Sequence, residues 1–232
     1  ISLGLTLCFS SANLWAQTAA NYPDKPVKVI IPFPPGGTLD KIGRMLALKV
    51  GEQLGQNFVV ENRPGGNGII GADVVAKANA DGYTLLFNAS TFVTAPMTMK
   101  SVPYKVQTDF TPIINMVASP NVLAIHPSFP AKDMAGFLKE LRAHPGKYDY
   151  ASSGTGGIGH LQMELFKNLT KTFVVHIPYA GAGPALRDTV GGQVPIIFDN
   201  LPSAMPHIKD KRLIALAVAS PERVAELPDV PT

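Results

Sequence analysis

KVIIPFPPGGTLDKIGRMLALKVGEQLG, residues 28–55, is the stretch whose reading decides the fold. Lys28 to Phe33 is a short apolar run with β-branched residues, closed by PPGG, and it reads as a buried strand. A helix follows, in which Leu39, Ile42, Leu46 and Val50 fall at helical spacing, with Thr38 as its N-cap and Gly55 as its stop. The same order of strand, glycine-rich loop and helix returns at FVVENRPGGNGIIGADVVAKA (58–78), YDYASSGTGGIGHLQMELFKNL (148–169) and FVVHIPYAGAGPALRDTVGG (173–192). Strands that alternate with helices predict an α/β fold with parallel sheets and right-handed crossovers.

Two further strands, Tyr83 to Phe87 and Pro195 to Phe198, end in the polar tips Asn88, Ser90 and Asp199, Asn200. From Pro112 to His126 the chain is apolar without a helical period. It reads as a long strand crossing from a first lobe (21–120) to a second (121–232).

The first residues have a different character. Ile1 to Phe9 is an uncharged, mostly apolar run followed by small residues up to Ala16 and Ala20, which resembles the end of a secretory signal peptide over 1–20. The run is too short to span a bilayer. Cys8 is the only cysteine and Trp15 the only tryptophan, so cleavage after Ala16 or Ala20 leaves a chain with neither. That excludes a thiol nucleophile, a disulfide or a thiolate metal site from the mature protein. The formal net charge of +3 suits a small anion and falls well short of a nucleic-acid footprint.

Glycine-rich turns at the carboxyl edge of a sheet present backbone N–H groups and a helix N-terminus, which together attract anions. A nucleotide enzyme is the rival reading, because Gly66, Gly68, Gly71 and Gly154, Gly156, Gly159 both spell G-x-G-x-x-G. A dinucleotide site also needs an acid at the end of the next strand. Those strand ends read Phe87-Asn88-Ala89 and Pro178-Tyr179-Ala180, without one. Gly146-Lys147 is followed by Tyr148, so no Walker loop forms, and no G-x-S-x-G elbow is present. The five histidines are scattered without metal-ligand spacing, and His160, one turn after a glycine loop, is the one that invites a site role. Asp40, in the first helical turn, reads as a stabiliser of the helix N-terminus more than as a catalytic acid.

These blocks, taken together, resemble the Bug-type or TctC-like extracytoplasmic solute receptors of tripartite tricarboxylate transporters. The resemblance is carried by YPDKPVKVIIPFPPGG with Asp40 after it, VVENRPGGNGIIGA, ADGYTLL, SSGTGGIGH, IPYAGAG, FDNLPSAMPHIKDKRLIALAV and SPERVAELPDVPT, from Tyr22 to Thr232. It implies a two-lobe Venus-flytrap (periplasmic-binding-protein) fold that closes on a small carboxylate, held by backbone amides and waters and left unreacted. It also implies a polypeptide that runs on well past PDVPT, so that the first lobe of the present chain would expose apolar surface.

Position by position, the resemblance places Phe33, Pro34, Gly36, Gly37 and Thr38 around one carboxylate, with Asn88, Ala89 and Ser90 beside it. Ser152, Ser153, Gly154, Thr155 and Gly156 approach from the second lobe, with His160, Tyr179, Ala180, Gly181 and Asp199. Asp199 has two readings, a partner for a ligand amine or a cap of the turn before Ser203, and capping is favoured. The expected ligand is an organic acid or amino acid, and the expected location is the periplasm. The expected partners are membrane transporter subunits or, with the same pocket, a sensor kinase. A monomer without cofactor, metal or nucleic acid is expected.

Overall fold

The computed structural model describes residues 21–232, so the leader-like segment lies outside the described residues. Strand β1 (Val27–Ile31) runs between β2 (Phe58–Asn62) and β3 (Thr84–Leu86), and both pairings are parallel. A central parallel strand is covered on both faces, and β1 is accordingly apolar and buried at four of its five positions. Helices α1 (Thr38–Leu54), α2 (Ile69–Ala76) and α3 (Thr91–Thr98) follow the three strands in turn. Helix α1 sits on its small residues: Gly43 and Ala47 are buried, and a Cβ on Gly43 would stand 2.5 Å from Ile31 Cδ1. The predicted apolar stripe flanks that contact half-buried, and Gly55 ends the helix at φ 67° as expected. The cap differs from expectation. Gly37 is the N-cap and Thr38 the first helical residue.

The second sheet has the order β6-β5-β7-β4-β8, formed by β4 (Asn121–Ile125), β5 (Asp149–Ser152), β6 (Val175–Pro178), β7 (Ile196–Asn200) and β8 (Ile214–Ala219). Strands β5, β6 and β7 are parallel, whereas β4 runs antiparallel to both neighbours. The expectation of purely parallel sheets is corrected here. The chain enters this sheet from the first lobe, and β4 therefore arrives against the direction of the β-α-β units around it.

The long crossing strand is also corrected: only Asn121–Ile125 pairs, and residues 111–120 carry no strand. An extended segment becomes a strand only where a sheet edge receives it. Ile113 and Ile114, 77% and 70% exposed, find no such edge among the described residues.

Helices α4 (Met134–Ala143), α5 (Ile158–Thr170), α6 (Ala182–Val190) and α7 (Leu201–Lys209) cover the second sheet. Alternation along β7 sorts them. Ile196 and Phe198 face Phe129, Phe137, Tyr150 and Met163, while Ile197 faces Ala185, Leu186, Leu201 and Ala204. The first lobe is less fully covered: Met45, Leu48 and Leu54 on α1 and Val59 on β2 stay exposed. Beside them Ala47, Leu48, Gly51 and Phe58 line a hollow of about 360 Å³.

Helix α5 meets β7 most closely at Gly159, where an added Cβ would stand 2.1 Å from the Phe198 carbonyl oxygen. Gly159→Ala must push the helix start away from the sheet. It should lower unfolding free energy by roughly 1–3 kcal/mol in chemical denaturation, and an unchanged midpoint would contradict this packing.

Candidate functional site

The turn from β1 into α1, Phe33 to Thr38, is held from below by Asp40. Its carboxylate accepts from the Gly36 amide at 3.1 Å, from Arg44 Nε at 2.9 Å and from Asn62 Nδ2 at 3.0 Å. Asn62, at the end of β2, also donates to the Phe33 carbonyl at 3.0 Å. Burial by itself would raise the Asp40 pKa, but the bonds from Asn62, Gly36 and Arg44 outweigh it and hold the carboxyl below its ordinary range. Asp40 is therefore a structural anion that fixes the turn, as its place in the first helical turn suggested.

In the second lobe the turn Ser152 to Gly157 folds on itself. The Gly154 amide donates to Ser152 Oγ at 3.2 Å, the Gly157 amide to the Gly154 carbonyl at 3.2 Å, and the Gly156 amide to His160 Nδ1 at 3.1 Å. The expectation that glycine amides are the free donors needs correction, since those of Gly36, Gly154 and Gly156 are taken. Among the described residues, the amides of Gly37, Thr38, Ser153 and Thr155 have no acceptor within the protein. Glycine serves these loops through conformation instead: Gly36, Gly154 and Gly156 adopt φ of 91°, 142° and 78°.

Turns from the two lobes meet along three lines. At the first, Gly181 and Gly183 lie against the β1–α1 turn: a Cβ on Gly181 would come 2.7 Å from Pro34 Cδ, and one on Gly183 2.9 Å from the Pro35 carbonyl oxygen. At the second, Asn67 Nδ2 donates to the Thr155 carbonyl at 2.8 Å. At the third, Thr94 Oγ1 donates to the Gly156 carbonyl at 3.3 Å, and a Cβ on Gly156 would stand 2.6 Å from Thr98 Oγ1.

Of the buried side-chain atoms without a hydrogen-bond partner among the described residues, Thr38 Oγ1, Asn67 Oδ1, Asn88 Nδ2, Thr91 Oγ1 and Asp199 Oδ1 lie at strand ends or in the turns and helix starts after them, and Asp73 Oδ1 and His207 Nδ1 lie within helices. Polar atoms so placed are expensive unless something satisfies them, which marks these strand ends as the place for a polar guest.

The remaining sequence-selected residues take varied positions. Asn88 Oδ1 accepts from the Ala89 amide at 2.8 Å, and the exposed Ser90 is the N-cap of α3. Tyr179 points its hydroxyl to Asp188 at 2.8 Å; burial and that bond push its pKa up to about 12. Ala180 is exposed beside it. Asp199 accepts from Ser203 Oγ at 2.6 Å in the capping arrangement, and full burial raises its pKa above the ordinary range. His160 is turned to the loop, with Nδ1 on Gly156. Where the Gly36 and Gly183 turns touch, Lys41, Arg187, His207 and Arg212 line a hollow of about 210 Å³; burial and the neighbouring cations hold His207 below its ordinary range and Arg212 is paired with Asp210, so Lys41 and Arg187 supply the positive charge of that rim.

Sequence reasoning assigned no role to Asn67, Thr94, Thr98 or His176. Asn67 had a signal, since it stands between Gly66 and Gly68 in a loop already singled out. Thr94 and Thr98 share one face of α3, a spacing too common to notice. His176 Nε2 lies 2.7 Å from Ser152 Oγ, a serine–histidine pair that no sequence spacing announces. Ser152 is fully buried, so its hydroxyl cannot reach a substrate carbonyl as a nucleophile must. Among the described residues, no three His, Cys, Asp or Glu side chains gather as metal ligands.

Two α/β lobes whose glycine turns meet over unpaired polar atoms define a solute-binding protein of the two-lobed periplasmic type. Residues 42–232 match the family described as "tripartite tricarboxylate transporter family receptor", and the chain belongs to that family. Protein BugT of Bordetella pertussis is 40% identical over 229 residues, covering 96% of this chain and 69% of that one. A solved structure described as a periplasmic transporter is 50% identical with a TM-score of 0.87, over 91% of this chain and 71% of that one. Rpa4515 of R. palustris, solved with adipate, is 36% identical with a TM-score of 0.89 over the same shares. The family and its fold are those of periplasmic solute-binding receptors.

Asp40→Asn keeps the shape but removes the charge that gathers Gly36, Arg44 and Asn62. At neutral pH it should cost roughly 1–3 kcal/mol of unfolding free energy. The folded-state pKa of Asp40 lies below the ordinary 3.8. Its contribution is therefore complete above the unfolded-state pKa and vanishes as pH falls through the folded one. Wild type and variant should converge in denaturation at that acid end; a constant gap would refute the electrostatic account.

Proposed function

We propose that this receptor captures a small carboxylate, an organic acid or amino acid, between its lobes and passes it unchanged to membrane subunits of a tripartite tricarboxylate-type transporter. The observation that carries the reading is the approach of turns from the two lobes, Gly181 and Gly183 on Pro34 and Pro35 and Asn67 on Thr155, in loops where the amides of Gly37, Thr38, Ser153 and Thr155 are unpaired and Thr38 Oγ1, Asn88 Nδ2 and Asp199 Oδ1 are buried without partners. Backbone amides at helix N-termini stabilise a carboxylate without a counter-charge. Lys41 and Arg187 at the rim add long-range attraction. The adipate found with Rpa4515 supports a carboxylate as the guest class.

In this reading Phe33, Pro34 and Gly36 shape the first wall, and Asn88, Ala89 and Ser90 border it. Ser152, Gly154 and Gly156 shape the second, with Tyr179, Ala180 and Asp199 at its margin. Residues 1–20 serve as the export leader, 21–120 and 121–232 contribute the two lobes, and the mature protein works as a periplasmic monomer.

A thermal-shift screen against mono-, di- and tricarboxylates tests this. One acid should raise the melting temperature in a concentration-dependent way and be recovered chemically unchanged. Conversion of that acid would replace the receptor by an enzyme, and a flat screen would end the carboxylate reading. Because amides carry the recognition, Thr155→Ala should weaken binding by less than about tenfold, whereas Gly156→Val should weaken it by more than about a hundredfold in calorimetry. The reverse ranking would assign recognition to side chains.

A further inference from the structure

We propose that His160 and His176 are positioning residues for the second-lobe turn: stacked under it they hold Ser152–Gly157 in its binding shape, and acid uptake at His160 lets the turn, and the carboxylate on it, go. The release half rests on the carboxylate reading above; the positioning half does not.

Three rings stack beneath the turn. Tyr150 lies 4.8 Å from His176, and His176 4.2 Å from His160, both at 22° between planes. Each imidazole grips the turn through one nitrogen. The Gly156 amide can only donate, so His160 Nδ1, 3.1 Å away, must be the unprotonated acceptor, leaving the ring proton on Nε2. His160 Nε2 faces Glu164 Oε1 at 3.9 Å. His176 meets the turn through Ser152: the Gly154 amide donates to Ser152 Oγ at 3.2 Å, and that oxygen lies 2.7 Å from His176 Nε2 and 3.3 Å from the Gly154 carbonyl, to either of which its proton can go. The chain through His160 runs from the turn into the ring and needs a ring nitrogen without a proton.

The surroundings keep the rings neutral. Among the described residues Glu164 is the one anion beside them, and it already accepts from Lys167 Nζ at 2.7 Å and from Tyr150 Oη at 2.9 Å. Burial, foremost, holds both histidines below their ordinary value; nearness to His160 adds to this for His176, which falls to about 4, against an opposing pull from Glu164. A proton on His160 Nδ1 would confront the Gly156 N–H at hydrogen-bond distance, donor against donor. A second proton would put two cations 4.2 Å apart. The turn yields first, because Gly154 and Gly156 stand at φ 142° and 78°, conformations a glycine leaves at little cost. The Thr94–Gly156 bond between lobes would break with it.

Nitrogen-15 NMR of the histidine side chains tests positioning without any ligand. At neutral pH His160 should show its proton on Nε2, and on acidification the Gly156 amide should shift with the His160 midpoint. A proton on Nδ1, or a Gly156 amide indifferent to that midpoint, overturns the proposal. Binding of adipate, or of the acid most stabilising in the screen, is then followed from about pH 8 down to about pH 4. His160→Asn keeps an acceptor near Nδ1 but does not titrate, and it also carries the ligand's own titration as a control. Wild type should lose at least roughly tenfold more affinity across this range than His160→Asn, each measured against its own affinity at neutral pH. His160→Leu should bind weakly throughout. Equal pH profiles for wild type and His160→Asn overturn release, and if His160→Leu does not fold, the other arms decide. A protein that binds no carboxylate yet shows the Nε2 tautomer and the coupled Gly156 shift would sink the proposed function and leave the positioning role standing.

Discussion

Backbone meets backbone between the two lobes, and the rest of the structure serves that approach. Pro34 and Pro35 lie against Gly181 and Gly183, and Gly156 against Thr98, at separations that leave no room for a Cβ. The approach brings the starts of α1 and α6 together, with Gly37 against Ala182 and Gly183. Side chains long enough to span a wider gap would bring rotamer entropy and charge of their own. Short turns with little side chain avoid both costs, at the expense of needing support from elsewhere.

That support is unlike in the two lobes. The first turn is held by a charge: Asp40 collects Gly36, Asn62 and Arg44, so a carboxylate sits under a turn proposed to receive another. The two can coexist because Asp40 is already bonded on three sides and paired with Arg44, which leaves the helix N-terminus positive. The second turn is held by neutral rings, His160 and His176, over a sheet that forms the larger apolar core. A charged support is insensitive to mild acid. An imidazole support is not, and the proposed release rests on that difference between the two turns.

Much of this was legible in the residues. The β-α rhythm, the glycine turns and the loop at Ser152–Gly157 follow from local rules: apolar runs bounded by turn formers, helical spacing, and residues free to adopt positive φ. Asp40 was read as a structural anion from the helix turn it occupies, while its bond to Asn62, 22 positions on, was not legible there. Asn67, Thr94 and His176 were missed because each acts on a residue far away in the chain, 88, 62 and 24 positions for their bonds to Thr155, Gly156 and Ser152. Free glycine amides were over-predicted for the same reason: whether an N–H is spoken for depends on what folds back beneath it.

By itself, the sequence determined where the strand-turn-helix units fall, which turns can bend tightly, and that the two G-x-G-x-x-G runs lack the acid a dinucleotide site needs. Those are properties of a residue and its near neighbours. Tertiary structure alone decided that β4 runs against its sheet, that residues 111–120 form no strand, which amides remain unpaired, and that two histidines stack under one turn. Pairing, burial and hydrogen-bond satisfaction are set by what arrives from distant parts of the chain, and local composition does not record the direction of that arrival.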